Sequence, residues 1–124
     1  MKKVLIVEDH ADIRKLLRMT MEFDDFDIYE ASSGDIGWVE AQRLKPDVVL
    51  LDLMMPGAMD GLQVCRKIKS DPTLHNTRVV ILTARGQAQD REAGHEAGAD
   101  AYLIKPFSTL QVLDTLYRLC GQGA

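Results

Sequence analysis

The stretch Val48-Val49-Leu50-Leu51-Asp52 decides the fold of this chain, because four consecutive apolar residues lead directly into a carboxylate. An unbroken run of this kind is typical of a β-strand that is buried on both faces. Pro56 and Gly57 follow soon afterwards, and proline lacks the N–H that a central strand donates. Ligands of open α/β sheets bind at the carboxyl ends of the strands. We therefore expect Asp52 at such an edge, although a single aspartate here is equally typical of a turn or a helix cap.

Apolar runs and helical patterns alternate five times along the chain. Strands are predicted at residues 3–7, 27–31, 48–52, 78–83 and 101–104, and helices at about 13–23, 36–44, 62–70, 90–97 and 110–120. Strict alternation implies a parallel sheet with helices on both faces, and right-handed crossovers then produce a three-layer α/β/α sandwich. We expect residues 1–124 to form one domain, with the second strand at an edge of the sheet.

The predicted helix ends carry capping signals. Asp9 and Asp12 are candidates for the cap of the first helix, and Ser108 and Thr109 are candidates for the cap of the last. Gly98 suits the position just past the end of the fourth helix, where a left-handed backbone is common.

Length, charge and composition argue against several classes of protein. The 124 residues carry a formal net charge of -4, so neither nucleic acid nor an anionic membrane is favoured as a direct partner. No apolar run approaches the ~20 residues of a membrane span, and the N-terminus has no signal peptide pattern. Cys65 and Cys120 lack CxxC spacing and are expected to be reduced, which predicts a cytoplasmic protein.

Reactive side chains stand at the carboxyl ends of four of the five predicted strands. Glu8 and Asp9 follow strand one, Asp52 and Thr83 end strands three and four, and Lys105 follows strand five. Since the carboxyl ends of parallel strands share one edge, these side chains should lie together. Clustered carboxylates repel one another unless a hard cation such as Mg²⁺ neutralises them. A carboxylate can also attack phosphorus, and a hydroxyl and an ammonium can then hold the phosphoryl oxygens, although each residue taken singly is an ordinary polar side chain.

Short motifs lie at these strand ends and in the loops that follow, namely Glu8-Asp9, Asp52, Met55-Pro56-Gly57, Asp60-Gly61, Thr83-Ala84, Gly98-Ala99-Asp100-Ala101-Tyr102 and Lys105-Pro106-Phe107. Together they resemble the receiver domain of bacterial two-component response regulators, of the chemotaxis-regulator kind, over essentially the full length of the chain. The resemblance implies a flavodoxin-like (βα)5 fold with strand order 2-1-3-4-5. It also implies a cis peptide bond between Lys105 and Pro106.

The same resemblance implies a switch that is activated by phosphorylation. Asp52 would accept a phosphoryl group from a phosphohistidine on a sensor histidine kinase or a histidine phosphotransfer protein. Asp9, Asp52 and the backbone carbonyl of Met54 would bind Mg²⁺, and Glu8 would act through a metal-bound water.

The resemblance further implies how the signal leaves the site. Thr83 and Lys105 would bind phosphoryl oxygens, and Tyr102 would change rotamer as Thr83 moves. That exchange would remodel the face formed by the fourth helix, the fifth strand and the fifth helix, to which a downstream protein would bind. Such a switch promotes its own phosphorylation and dephosphorylation but has no separate substrate, so we do not expect an enzyme.

Two features depart from the family pattern. The loop at residues 56–61 is one residue longer than the common form, which affects the local backbone near the site. Met54 and Arg85 occupy the two positions that tune phosphoryl lifetime in this family, and this pair does not predict a lifetime.

Three other functions fit the sequence less well. A metal-dependent phosphatase with an aspartate nucleophile uses Asp-x-Asp, but Met54 stands where the second aspartate would be. A nucleotide- or flavin-binding module lacks its glycine-rich motif here. A degenerate receiver that only docks partners would not need the intact acidic cluster. His10, His75 and His95 lack the spacing of transition-metal ligands and are expected at the surface.

Overall fold

Five strands and five helices alternate along the described part of the chain. The computed structural model describes residues 2–22, 24–53, 55, 57, 59–84 and 88–120, with only the backbone of residues 88–91. The elements are β1 (Lys2–Val7), α1 (Ala11–Met21), β2 (Phe26–Ala31), α2 (Gly34–Leu44), β3 (Val48–Asp52), α3 (Gly61–Ser70), β4 (Arg78–Thr83), α4 (Ala88–Glu96), β5 (Ala101–Ile104) and α5 (Thr109–Cys120). A short 3-10 turn, Pro72–Leu74, connects α3 to β4.

The strands form one parallel sheet in the order β2-β1-β3-β4-β5, which confirms the predicted fold. The three central strands are lined by apolar residues, and every residue of β3 is buried. β2 lies at one edge, as its weaker apolar pattern predicts. Such a sheet brings the carboxyl ends of β1, β3, β4 and β5 to one side of the molecule.

Two apolar cores cover the two faces of the sheet, because successive residues of a strand point to opposite sides. Core residues of α2 and α3, with Ala97 just after α4, pack on the face that includes Leu5, Val49 and Ile81. Core residues of α1 and α5 pack on the face that includes Ile6. This is the three-layer arrangement that the alternation of elements predicts.

The helix ends agree with the sequence in part. Ser108 and Gln111 exchange side-chain to backbone hydrogen bonds of 2.8 and 3.1 Å at the start of α5, which is a capping box. Gly98 has φ +93 at the end of α4, where the residue past a helix favours glycine. The prediction that Asp9 or Asp12 caps α1 is wrong. The N-cap is His10, whose side chain makes no capping bond.

Two leucines at apolar positions of the helical pattern are exposed. Leu16 of α1 is 52% exposed, and Leu110 of α5 is 78% exposed. The next residue of α1, Leu17, is fully buried. Successive residues of a helix point about 100° apart, so when Leu17 faces the core Leu16 faces away from it. α1 ends at Met21, and Phe23, near which we expect its end, lies outside the described residues.

The peptide bond between Lys105 and Pro106 is cis, as the family resemblance implies. Within the described ranges, none of the helices combines the length and apolarity that a membrane span requires.

Candidate functional site

The predicted site residues lie at the carboxyl edge of the sheet. Glu8 directly follows β1 and is fully buried, whereas Asp9 is partly buried. Asp52 and Thr83 are the last residues of β3 and β4, and both are buried. Lys105 directly follows β5, and its backbone N–H donates to the carbonyl oxygen of Thr83 at 2.7 Å. The structure therefore brings together the four strand ends that the sequence singled out.

Close packing of the backbone surrounds Asp52. The N–H of Leu53 donates to the carbonyl oxygen of Leu82 at 2.9 Å, which extends the β3–β4 ladder one residue beyond Asp52. Gly61, the first residue of α3, lies against Asp52 and Leu53. A Cβ at this position would be only 2.9 Å from the Cα of Leu53. Glycine is therefore required where α3 begins, and its absent side chain lets that helix approach the end of β3.

Lys105 connects two buried carboxylates. Its Nζ lies 2.7 Å from Oε1 of Glu8 and 3.5 Å from Oδ1 of Asp52, and the lysine side chain is 18% exposed. Burial raises the pKa of Glu8, but the hydrogen bonds with Asp52 and Lys105 outweigh burial and lower that pKa from 4.5 to about 2. Glu8 is therefore ionised at neutral pH despite complete burial.

His10 joins this cluster, which the sequence analysis missed. Its Nδ1 lies 3.1 Å from Oε2 of Glu8 and 3.2 Å from Oδ1 of Asp9, although the imidazole is 63% exposed. The hydrogen bond with Glu8 and the charges of Asp9 and Glu8 raise the pKa of His10. The exposure of His10 agrees with the surface position that the sequence predicts. Its contact with the cluster could have been inferred from the sequence, because His10 directly follows Glu8 and Asp9.

The residues at this edge fit a divalent cation. Single ligand atoms of Glu8, Asp9, His10 and Asp52 all lie within 4.8 Å of one another. Oδ1 of Asp9 is buried, and apart from the 3.2 Å contact with Nδ1 of His10 it makes no hydrogen bond within the described part of the chain. Such an oxygen is an available metal ligand, and carboxylate oxygens are the ligands that Mg²⁺ prefers. Met54, whose carbonyl the family resemblance adds to this set, lies outside the described residues, as does Arg85.

Tyr102 and Thr83 face the same side of the sheet. Tyr102 is paired in register with Ile81 of β4, and Thr83 is paired with Ile104 of β5. The half-buried ring of Tyr102 contacts α4 at Gly94, where a Cβ would lie 2.6 Å from Cε1 and from the hydroxyl oxygen. Burial raises the pKa of Tyr102. The ring of Tyr102 therefore lies against α4, on the side of the sheet that Thr83 also faces.

Comparison with known proteins identifies the family. The profile of the response regulator receiver domain matches residues 4–117. The chain belongs to this family. A receiver domain is the phosphorylation-activated switch of a two-component system, and the strand order and acidic edge described above agree with that class.

Curated relatives are transcriptional regulators that are longer than this chain. It is 44% identical over 111 residues to the transcriptional regulatory protein ResD of Bacillus subtilis (strain 168), a match that covers 90% of this chain and 45% of ResD. It is 38% identical over 113 residues to the DNA-binding dual master transcriptional regulator RpaA of Synechocystis sp., with 91% of this chain and 46% of RpaA covered. The receiver chain thus spans less than half the length of these relatives.

Solved structures share the receiver fold over nearly the whole chain. The chemotaxis protein CheY4 of Vibrio cholerae has a TM-score of 0.89 at 28% identity, with 96% of this chain and 98% of that chain covered. The receiver domain of the sensor histidine kinase PA1611 from Pseudomonas aeruginosa has a TM-score of 0.88 at 26% identity, covering 97% and 98% of the two chains. The latter structure has a magnesium ion coordinated in the active site cleft.

Proposed function

We propose that Asp52 accepts a phosphoryl group from a phosphohistidine on a sensor histidine kinase or a histidine phosphotransfer protein. A carboxylate oxygen of Asp52 attacks phosphorus, the new P–O bond forms, and the P–N bond breaks with its electron pair returning to the imidazole. The observation that carries this proposal is the position of Asp52. It ends the fully buried strand β3, beside the ammonium of Lys105 and the carboxylates of the acidic edge.

We further propose that Asp9 and Asp52 bind Mg²⁺, with Glu8 in the outer shell. When bound, Mg²⁺ would supply positive charge that offsets the repulsion between the carboxylates and an incoming phosphoryl group. The buried Oδ1 of Asp9 supports this assignment, because within the described residues its polar contact is the exposed imidazole of His10 at 3.2 Å, which a cation could replace.

Two further side chains are proposed to hold the transferred group. The hydroxyl of Thr83 would donate to one phosphoryl oxygen, and the ammonium of Lys105 would pair with another. Lys105 already contacts Glu8 and Asp52, so the new anionic oxygens would compete for an ammonium that is engaged. Phosphorylation therefore redistributes existing contacts at the edge as well as adding new ones.

The output is proposed to pass through Thr83 and Tyr102 to the face formed by α4, β5 and α5, where a downstream protein would bind. The chain would act as a switch whose only substrate is itself. RpaA is named as DNA-binding, but the match covers 46% of it. Because this chain carries a net charge of -4, we propose that it contacts proteins rather than nucleic acid.

The test uses acetyl phosphate with Mg²⁺, followed by intact mass measurement. The wild-type chain should gain one acid-labile phosphoryl group, and Asp52→Asn should gain none. Asp60→Asn is the matched control, because Asp60 lies in the loop after β3 and its side chain caps α3, a role that asparagine also fills. If Asp52→Asn gains a phosphoryl group to the same extent as the Asp60→Asn control, Asp52 is not the acceptor.

A further inference from the structure

Arg14 of α1 contacts the loop that carries the proposed metal-binding carboxylates. Its Nη1 donates to the backbone carbonyl of Glu8 at 2.7 Å. Its Nε donates to Oε1 of Glu30, on β2, at 3.3 Å. The side chain of Arg14 is 19% exposed, so most of it is shielded from solvent. One planar guanidinium therefore joins the loop between β1 and α1 to the edge strand of the sheet.

The backbone of Glu8 is held on both sides. Its N–H donates to the carbonyl oxygen of Ala31 at 3.1 Å, which extends the β1–β2 ladder, and its carbonyl accepts from Arg14. The backbone N–H of Arg14 also donates to the carbonyl of His10 at 3.1 Å. Arg14 thus holds the loop at residues 8 and 10, on either side of Asp9.

We infer that Arg14 is a positioning residue for the divalent-cation site, acting through the backbone carbonyl of Glu8. The inference rests on the proposed function and deepens it, because it names a residue that sets the geometry of the metal-binding loop without contacting the ion. The fork of a guanidinium holds the carbonyl of Glu8 and the carboxylate of Glu30 at the same time. A lysine ammonium is a point charge and does not reproduce that planar arrangement.

The charge of Arg14 and its hydrogen bond to the loop predict opposite effects on cation binding when Arg14 is replaced. A guanidinium near an acidic cluster repels a divalent cation, so removal of its charge alone would tighten cation binding. Removal of the hydrogen bond to Glu8 instead releases the loop, and the carboxylates must then be ordered when the cation binds. The positioning role therefore predicts weaker binding despite the more favourable charge.

Arg18 provides a matched control on the same helix. It donates to the same partner, Glu30, through its Nε at 2.6 Å. Its second contact is the carbonyl of Ile28 on β2, not the loop that follows β1. Arg18→Gln therefore removes the same charge and a bond to the same carboxylate, but leaves the bond between Arg14 and Glu8.

The first experiment measures Mg²⁺ dissociation constants by calorimetry on the full chain. Arg14→Gln should weaken binding about tenfold, the effect expected for one hydrogen bond that involves a charged group. Arg14→Lys, which keeps the charge, should also weaken binding, whereas Arg18→Gln should leave it equal or tighter. If the wild-type chain binds Mg²⁺ and Arg14→Gln binds it equally well or more tightly, the inference is wrong although the proposed function stands. A wild-type chain that binds no Mg²⁺ contradicts the proposed metal site and this inference together.

The second experiment measures amide hydrogen exchange in the metal-free protein. Arg14→Gln should speed exchange at Asp9 and His10 relative to the amides of β4, which report on the stability of the whole sheet. Arg18→Gln should leave that ratio unchanged. Exchange that rises equally in the loop and in β4 would show a general loss of stability and would overturn the positioning role. Glu30→Ala, which removes the Nε contacts of both Arg14 and Arg18 but leaves the Nη1 bond to Glu8, should give an intermediate effect at the loop.

Discussion

Glu8 is a charged side chain with no exposed surface, and Lys105 makes that burial possible. An unpaired carboxylate in such a place costs several kcal/mol, so a folded protein keeps a compensating charge or proton beside it. The ammonium of Lys105 at 2.7 Å is that charge. The same ammonium lies within 3.5 Å of Asp52, so it serves the stability of the edge and its proposed chemistry together.

At the residue scale we predict opposite effects of Lys105→Ala on stability and on cation binding. The metal-free variant should lose about 1–3 kcal/mol of unfolding free energy, because Glu8 loses its cationic partner. Mg²⁺ should bind more tightly than to the wild type, because a competing positive charge is gone. Urea unfolding with and without Mg²⁺ measures both effects.

Lys69→Ala is the control for that experiment. Lys69 forms a comparable ion pair with Asp100 at 2.7 Å, away from the acidic edge. The loss of unfolding free energy in Lys69→Ala should therefore be the same with and without Mg²⁺. Weaker Mg²⁺ binding by Lys105→Ala would show that the lysine supports the metal site rather than competing with it.

At the scale of single elements, α3 and α4 meet through a buried thiol. Cys65 of α3 is fully buried, and its Sγ donates to the carbonyl of Ala97, just after α4, at 3.4 Å. Burial raises the pKa of Cys65 from 9.0 to about 11. The thiol therefore packs as an apolar group between these elements and remains protonated at neutral pH.

This raised pKa predicts a loss of stability in alkali. Above pH 9 the thiol of the unfolded chain ionises first, whereas the folded chain keeps its proton until about pH 11. The contribution of Cys65 to the free energy of unfolding should be fully present below pH 9 and should fall by about 1.4 kcal/mol per pH unit between pH 9 and about pH 11. Unfolding of the wild type and of Cys65→Ala, measured from pH 8 to 11, should therefore diverge in slope. Parallel pH profiles would contradict the burial effect.

The contact between α4 and β5 leads to a prediction about Gly94. A Cβ at this position would lie 2.6 Å from the ring of Tyr102, so Gly94→Ala should displace that ring. Alanine favours a helix over glycine by about 1 kcal/mol, which opposes the cost of the collision. In the Tyr102→Ala background the collision is absent, and the same substitution should stabilise the chain. A double-mutant cycle by urea unfolding measures this coupling, and equal effects in the two backgrounds would refute it.

At the scale of the whole molecule, the sheet connects the acidic edge to a distant face. β4 ends in Thr83, and its neighbour β5 carries Tyr102, whose ring contacts α4. A phosphoryl group at Asp52 can change the α4–β5–α5 face only through a difference in its contacts with two arrangements of these elements. We propose that the side chains of Thr83 and Tyr102 differ between these arrangements.

We therefore predict a directional response to a beryllofluoride mimic of the phosphoryl group. NMR shift changes should extend from Asp52 through Thr83 and Tyr102 to α4, while the opposite edge strand β2 should change little. Tyr102→Ala should interrupt the changes on α4 without preventing those around Asp52. Shift changes confined to the surroundings of Asp52 in the wild type would contradict the proposed path from Thr83 through Tyr102 to α4.

Most of the architecture follows from local patterns in the sequence. The apolar run that ends at Asp52 predicted the most buried strand, and strict alternation of elements predicted a parallel sheet with two covered faces. The candidate residues at four strand ends followed, because parallel topology brings those ends to one edge. The exposure of Leu16 could not be predicted in this way, because an amphipathic stripe defines a helix face only to within a residue or so.

The sequence by itself determined the elements, their order and the chemical groups at the acidic edge, because strand burial and helix periodicity depend on neighbours in the chain. Only the tertiary structure decided which groups meet. Arg14 reaches the carbonyl of Glu8, His10 turns back to two carboxylates, and Lys105 pairs with a glutamate 97 positions away. These contacts depend on strand register, on the packing of α1 and on side-chain direction. A pattern of residue types contains none of that information, because it measures separation along the chain rather than distance in space.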